Sequence, residues 1–441
     1  MKIKKSLLAV LIIAVAMLFS GCSKFNIEIK DLITPPEPTG ELYEIRQALF
    51  EYTGPDITLR YPKSGDWRSA FIIEDIDQDG VDDVLAFYST ISGENTTIMH
   101  VNLITKLEGK WVSVSDNAVE SSAIESVEFL DLNNDKTPEI LISWKISSQP
   151  TDKVSVFMFS NGGLTLAIQE NFSHYIPCDL SNSDELEFVV ISSDSIAKKS
   201  TATAYRFEKH GVINLGSCAL DVDVTEYSDA VISKLSNGKP AIYIDAAKST
   251  LGTITEVLYL SEDGMLENVF VKENETQNVA TLRVSTAASY DADGDEIPEI
   301  PILRQLPSIR GTAEKDILYL TEWNKCNEQG LAYLSSCFMN YNDGYSFCVD
   351  EEWKDKFTIA RSEDLTERVF YEYSEDMALA THELFRIKTL TKDEFYYSNK
   401  SYNDYFEITS NDTHIYLARI NPDNEWDIKE QDILDRFDFI Q

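Results

Sequence analysis

The chain has 441 residues, 43% of them hydrophobic, and carries 75 Asp and Glu against 38 Lys and Arg, a formal net charge of −37. This is a globular composition, long enough for two or three domains and for a sizeable core. So acidic a chain excludes nucleic acid and anionic lipid headgroups as natural partners, because both repel it.

The N-terminus reads "MKIKKSLLAVLIIAVAMLFSGCSK": a basic start, an apolar run from Leu7 to Phe19, then Ser20-Gly21-Cys22. The run is short for a transmembrane helix, and residues 1–21 read as a secretory signal. Its end resembles a bacterial lipobox, with Phe19 where leucine is usual. The resemblance implies a lipid on Cys22 that holds the protein at the outer face of a bacterial cell membrane. Residues 22–40 contain Pro35, Pro36 and Pro38 and suit an extended spacer. Residues 41–56 read as a helical segment, with Thr39 as its cap and Leu42, Ile45 and Leu49 on one face.

From there an internal repeat organises the chain. "FIIEDIDQDGVDDVLAFY" from Phe71 has gapless relatives in "VEFLDLNNDKTPEILISW" from Val127, "YIPCDLSNSDELEFVVIS" from Tyr175, "AVISKLSNGKPAIYIDA" from Ala230 and "AASYDADGDEIPEIPIL" from Ala287. Their first loop positions are Asp75, Asp131, Asp179, Ser233 and Asp291, separated by 56, 48, 54 and 58 residues. A period near fifty signals a propeller or an array. The text between loops divides into about four strands per period, the content of one propeller blade. The expectation is a mostly β fold, with five blades over residues 57–340. The stretch "ITLRYP" from Ile57 either seeds a sixth, degenerate blade or closes the ring by completing another.

Numbered from the first acid, positions 1, 3, 5 and 9 are Asp75, Asp77, Asp79 and Asp83 in the first loop. They are Asp131, Asn133, Asp135 and Glu139 in the second, and Asp291, Asp293, Asp295 and Glu299 in the fifth. Position 7 (Val81, Thr137, Ile297) would offer its backbone carbonyl. Clustered oxygen ligands on a curled loop suit Ca²⁺ at about three sites; Mg²⁺ asks for fewer protein oxygens and stricter geometry. An EF-hand needs an acid at position 12, where this chain has Ala86, Ile142 and Ile302 inside apolar runs. These loops sit between strands, and the pattern resembles the FG-GAP, or VCBS-type, repeats of β-propellers, including the calcium loops of integrin α-chains. The third loop keeps only Asp179 and Glu187, with Ser181 and Ser183 between them; the fourth (Ser233, Leu235, Asn237, Ala241) has no acid.

From Tyr341 the texture changes, and residues 341–441 read as a separate small α+β domain with a helix at "SEDMALATHELF". Cys178, Cys218, Cys326, Cys337 and Cys348 are odd in number, so at least one is free or intermolecular. A hairpin around "NEQG" sets Cys326 opposite Leu331, so no bridge from Cys326 to Cys337 is expected. His100, His174, His210, His382 and His414 lack metal or catalytic spacing, and no G-x-S-x-G elbow or Gly-rich phosphate loop occurs. Trp67, Trp353 and the aromatic groups around Phe370, Phe395 and Tyr402 read as packing residues.

The reading that follows is a lipid-anchored binding or scaffold module with a calcium-stabilised propeller, facing a protein or glycan at the cell surface. The alternative is an envelope enzyme or accessory subunit acting on polysaccharide or peptidoglycan through the propeller channel.

Overall fold

The computed structural model describes residues 40–440 except 94–95, 148, 150, 195, 250–251, 273, 309–316, 363–365, 374–381 and 398–400. The signal segment, Cys22 and the spacer prolines therefore lie outside the described residues. Among the described residues, no helix is long and apolar enough to cross a membrane.

Helix α1 spans Glu41–Thr53 and buries Ile45, Ala48 and Leu49. Gly40 holds its N-cap position, and Leu42, expected on the buried face, is 41% exposed.

The rest is mostly β: six antiparallel sheets among the described residues. The first contains Thr58–Leu59, Phe71–Glu74, Asp83–Ser92, Thr96–Leu107 and Lys110–Glu120; the second, Ala123–Leu130, Glu139–Lys145, Asp152–Ser160 and Gly163–Phe172. The third runs through His174–Cys178, Glu187–Asp194, Lys199–Glu208 and Gly211–Ala219. The fourth holds Glu226–Tyr227, Val231–Lys234, Pro240–Ala247, Thr253–Leu260 and Leu266–Asn268. The fifth holds Ile300–Gln305, Tyr319–Asn327, Gly330–Asn340, Tyr345–Val349 and Phe437–Phe439. Phe357–Arg361, Glu367–Glu372, His382–Thr391, Phe406–Ser410 and His414–Ile420 form the sixth.

Strand alternation explains how the sheets stack. In the second sheet, Ile140, Ile142 and Trp144 pack on Leu85 and Phe87 of the first, while Leu141 turns to Phe188 and Val190 of the third. Val189 and Ile191 face Ile242 and Ile244 of the fourth, whose Tyr243 faces Ile300 of the fifth. Because such strands are buried on both faces, they appear in sequence as short continuous apolar runs such as "ILISW" and "FVVIS". The outward face of the first sheet (Val84, Ala86, Tyr88) is covered by α1. The outward face of the sixth (Leu390, Ile415, Leu417) is covered by Phe395 on helix α2 (Lys392–Tyr397), with Tyr402 and Tyr405.

Three expectations are corrected. Thr58–Leu59 of "ITLRYP" pairs with Tyr88 and Ser89 inside the first sheet, along the strand that Phe71–Glu74 also borders, so it neither seeds nor completes another sheet. The boundary at residue 341 falls between the third and fourth strands of the fifth sheet, and Phe347 and Val349 share one core with Phe357, Phe370 and Phe385 of the sixth. Of the helix expected at residues 374–385, residues 374–381 lie outside the described residues and His382–Phe385 begins a strand. Phe385 and Ile387 alternate into the shared core, and that burial outweighs local helix propensity.

Cys337 and Cys348 are directly opposed on neighbouring strands of the fifth sheet and form a disulfide; Cys326 faces Leu331 as expected and is free. Trp67 packs edge-on against Phe129, and Trp353 against Trp426, both in cores.

Candidate metal centres

Each repeat loop occupies the same place. In the first four sheets it joins the edge strand to the strand beside it, and the fifth precedes Ile300–Gln305, with Tyr290 bridging Glu299. The loops share one rim: Leu186 N–H donates to the Leu132 carbonyl at 2.9 Å, and Ser233 Oγ to the Glu296 carbonyl at 2.8 Å.

The first-position aspartate folds the loop around itself. Asp75 accepts the N–H groups of Asp79 and Gly80 at 3.1 and 3.0 Å; Asp131 accepts those of Asp135 and Lys136 at 3.1 and 2.9 Å. Asp179 and Asp291 do the same for positions 5 and 6 of their loops. Positions 4 and 6 accordingly sit in the left-handed region, as Gln78 (φ 61°) and Gly80 (φ 88°), or Asn134 (φ 54°) and Lys136 (φ 76°). The ninth-position acid is buried and accepts the N–H of position 2: Asp83 from Ile76 at 3.3 Å, Glu139 from Leu132 at 2.8 Å, Glu187 from Leu180 at 2.8 Å, Glu299 from Ala292 at 2.7 Å. At position 7, the N–H groups of Val81, Thr137 and Ile297 donate to Asp79, Asp135 and Asp295. The fourth loop lacks acids and closes as a plain turn, Leu235 N–H to the Lys239 carbonyl at 2.8 Å.

These contacts gather carboxylate oxygens. Ligand atoms of Asp75, Asp77 and Asp83 lie within 4.8 Å of one another, as do those of Asp291, Asp293 and Asp295, and either cluster could hold a metal ion. In the second loop, Asn133 donates to Glu139 at 3.2 Å beside Asp131 and Asp135. Burial, then the charges of Asp79 and Asp75, raises the Asp77 carboxyl above its usual range; burial, then Asp77 and Asp79, does the same to Asp83. Burial, reinforced by Asp135 and Asp131, pushes Glu139 up to about 7, and burial, reinforced by Asp293 and Asp295, brings Glu299 to about 7. Oε1 of Glu299 is buried with no hydrogen-bond partner. The loops thus concentrate negative charge where it is costly, and the all-oxygen donor set fits a hard divalent cation.

Two loops contain a cation that sequence reading missed. Lys325 sets its ammonium against Asp293 at 2.8 Å, against Asp295, and 3.9 Å from Glu299. Arg206 places Nε and Nη2 on Oε1 of Glu187 at 3.0 and 2.7 Å. Among the described residues, no Lys, Arg or His forms an ion pair with Asp75, Asp77, Asp79, Asp83, Asp131, Asp135 or Glu139.

Two further polar groups escaped the sequence. Thr90 Oγ1 lies 3.0 Å from His100 Nε2, and His100 Nδ1 lies 2.8 Å from Asp116, which also accepts Tyr88 Oη and Asn102 Nδ2. The order is that of a hydroxyl–imidazole–carboxylate relay. It arises from cross-strand neighbours, Tyr88 with His100 and Asn102 with Asp116, which no spacing rule detects. The fourth sheet buries ion pairs between Lys248 and Asp221 at 2.6 Å and between Arg283 and Asp245 at 2.8 Å, next to buried Glu256.

Cavities open at the rim away from the loops. One of about 430 Å³ is bordered by Thr96, Glu120, Ser122, Gln149 and Lys153; another of about 480 Å³ by Ser173, His174, Ser193, Glu226 and Tyr227. All of these residues lie at or beyond the strand ends opposite those that carry the loops.

No protein-family model and no curated protein matches the chain. Among solved structures it is similar to a rhamnogalacturonan lyase of Bacillus licheniformis, at 10% identity and a TM-score of 0.29 over 62% of this chain and 68% of the other. An exo-type rhamnogalacturonan lyase gives 10% identity and a TM-score of 0.23 over 73% and 75%. A Lactobacillus plantarum protein gives 10% and 0.22 over 74% and 94%.

Proposed function

We propose that this chain is a lipid-anchored, extracytoplasmic binding or scaffold protein, built as a propeller-type array of sheets related to FG-GAP repeats and braced by Ca²⁺ in its acidic loops. The observation that carries the reading is the first loop. Three carboxylates, Asp75, Asp77 and the buried Asp83, converge with the charge of Asp79 beside them, and no described basic side chain pairs with any of them. At 4 Å each such pair costs about 1 kcal/mol in bulk water and about 4 kcal/mol near a protein surface, and a divalent ion reverses that sign. Calcium would then lock each edge strand to its neighbour at one rim, leaving the cavities of the other rim to meet a protein or glycan.

The Cys337–Cys348 disulfide supports an oxidising compartment, in keeping with a lipid on Cys22. The anchor is tested by fractionation: Cys22→Ser should release the protein from the membrane, and a variant that stayed there would remove the anchor from the proposal. The calcium brace is tested by calorimetry of metal-free protein, in which added Ca²⁺ should raise the melting temperature. An unchanged transition would overturn the brace.

A further inference from the structure

The repeats allow one more comparison: the residue that faces the ninth loop position from the next strand. In the third sheet Glu187 is paired directly with Arg206, and in the fourth Ala241 with Tyr259. Continuing the neighbouring ladders by one residue sets Asp83 against Thr105, Glu139 against Met158 and Glu299 against Lys325. Cross-strand partners share a face, so this residue is aimed at the loop interior. The two basic residues of the set, Arg206 and Lys325, both bring a positive charge to loop carboxylates, whereas Thr105 offers Asp83 only a neutral hydroxyl.

Resting on the calcium reading above, we infer that this cross-strand residue selects the counter-ion of each loop. A side-chain guanidinium or ammonium serves the third and fifth loops, and a divalent cation serves the first and second. The fifth loop makes the case most sharply, since its donors (Asp291, Asp293, Asp295, Glu299) match those of the first loop apart from one methylene. What differs is the occupant. The Lys325 ammonium sits among three of the four carboxylates, its side chain only 22% exposed, in the space an ion would need. To enter, Ca²⁺ must expel a tethered cation and break its hydrogen bonds. In the first loop the equivalent position holds neutral Thr105, and in the second the apolar Met158, so nothing tethered competes.

The experiment counts bound Ca²⁺ by equilibrium dialysis on metal-free protein, comparing the native chain with Lys325→Met, which copies Met158, and Lys325→Gln, which keeps a polar side chain should the methionine variant fold poorly. Each folded variant should bind one more Ca²⁺ per chain than the native protein, and Thr105→Lys should bind one fewer. Equal stoichiometry in native, Lys325→Met and Lys325→Gln proteins would overturn the selection rule whatever the native count is. The native count separately tests the calcium reading: two ions support it, and none removes it.

Discussion

Glu187 and Arg206 face each other across adjacent strands of the third sheet, with Nε and Nη2 of the guanidinium on the same carboxylate oxygen at 3.0 and 2.7 Å. The other oxygen accepts the N–H groups of Leu180 and Ser181 at 2.8 and 3.2 Å, so both oxygens of a fully buried carboxylate have protein donors.

Removing that guanidinium strands the charge. Arg206→Met should destabilise the protein by roughly 3 kcal/mol, since an unpaired buried carboxylate remains. Arg206→Lys should recover part of the loss without the two-pronged contact. Urea unfolding measures both, and a loss below about 1 kcal/mol for the methionine variant would show that solvent already satisfies Glu187.

The two most acidic loops should answer differently to the same mutation. Asp79→Ala should weaken Ca²⁺ binding and shrink the fall in melting temperature caused by a chelator. Asp295→Ala, which removes a partner of Lys325, should leave the number of bound ions unchanged. Titration calorimetry distinguishes the two, and loss of an ion from the Asp295 variant would contradict the assignment.

Glu256 sets a pH dependence remote from the loops. Burial pushes its carboxyl up to about 7, against hydrogen bonds from the Asp221 N–H and Asn268. The unfolded chain ionises near pH 4.3. Between about pH 4 and pH 7 the folded state therefore holds a proton that the unfolded state has lost, and stability falls as pH rises, by on the order of 3 kcal/mol across the window. Glu256→Gln should flatten that slope in a series of unfolding curves. An identical slope would assign the dependence to other groups.

Gly252 meets Arg283 too closely for a side chain. At φ +117° its added Cβ would lie 2.0 Å from the Arg283 carbonyl oxygen, next to the Thr253–Arg283 bridge. Gly252→Ala should cost more than about 2 kcal/mol, because both the backbone region and the space are closed to it. Gly238→Ala, with open space at its turn, should cost about 1 kcal/mol. Thermal melts of the two variants check this, and a Gly252→Ala loss no larger than that of Gly238→Ala would refute the close approach.

The acidic loops were legible because each is local: nine residues carry the first-position aspartate, the left-handed positions and the buried ninth acid. Their cations were not. Arg206 lies 19 residues after Glu187 and Lys325 lies 26 after Glu299, while Thr105 lies 22 after Asp83, because the intervening hairpins differ in length. Only the sheet register brings these residues opposite their loops. Strand runs such as "FVVIS" were likewise plain, but the sixth sheet was hidden. It has no acidic loop to mark it, and its third strand opens at His382 directly after a stretch of helix-favouring composition. The change of texture at Tyr341 marks the end of the loops, whereas the fifth sheet continues to Val349 and later recruits Phe437–Phe439.

The alternation that sends Val189 toward one neighbour and Val190 toward the other has a thermodynamic consequence. Each interior sheet is held by two nearest-neighbour interfaces and each terminal sheet by one interface plus its own cover, so stability is distributed as in a one-dimensional chain of coupled units. Fraying should begin where coupling is single, beneath α1 or beneath the segment that carries Phe395 and Tyr405. Divalent ions bound one to each of the first two loops would stiffen the end nearest α1, while the two tethered cations reinforce the middle and far side of the series.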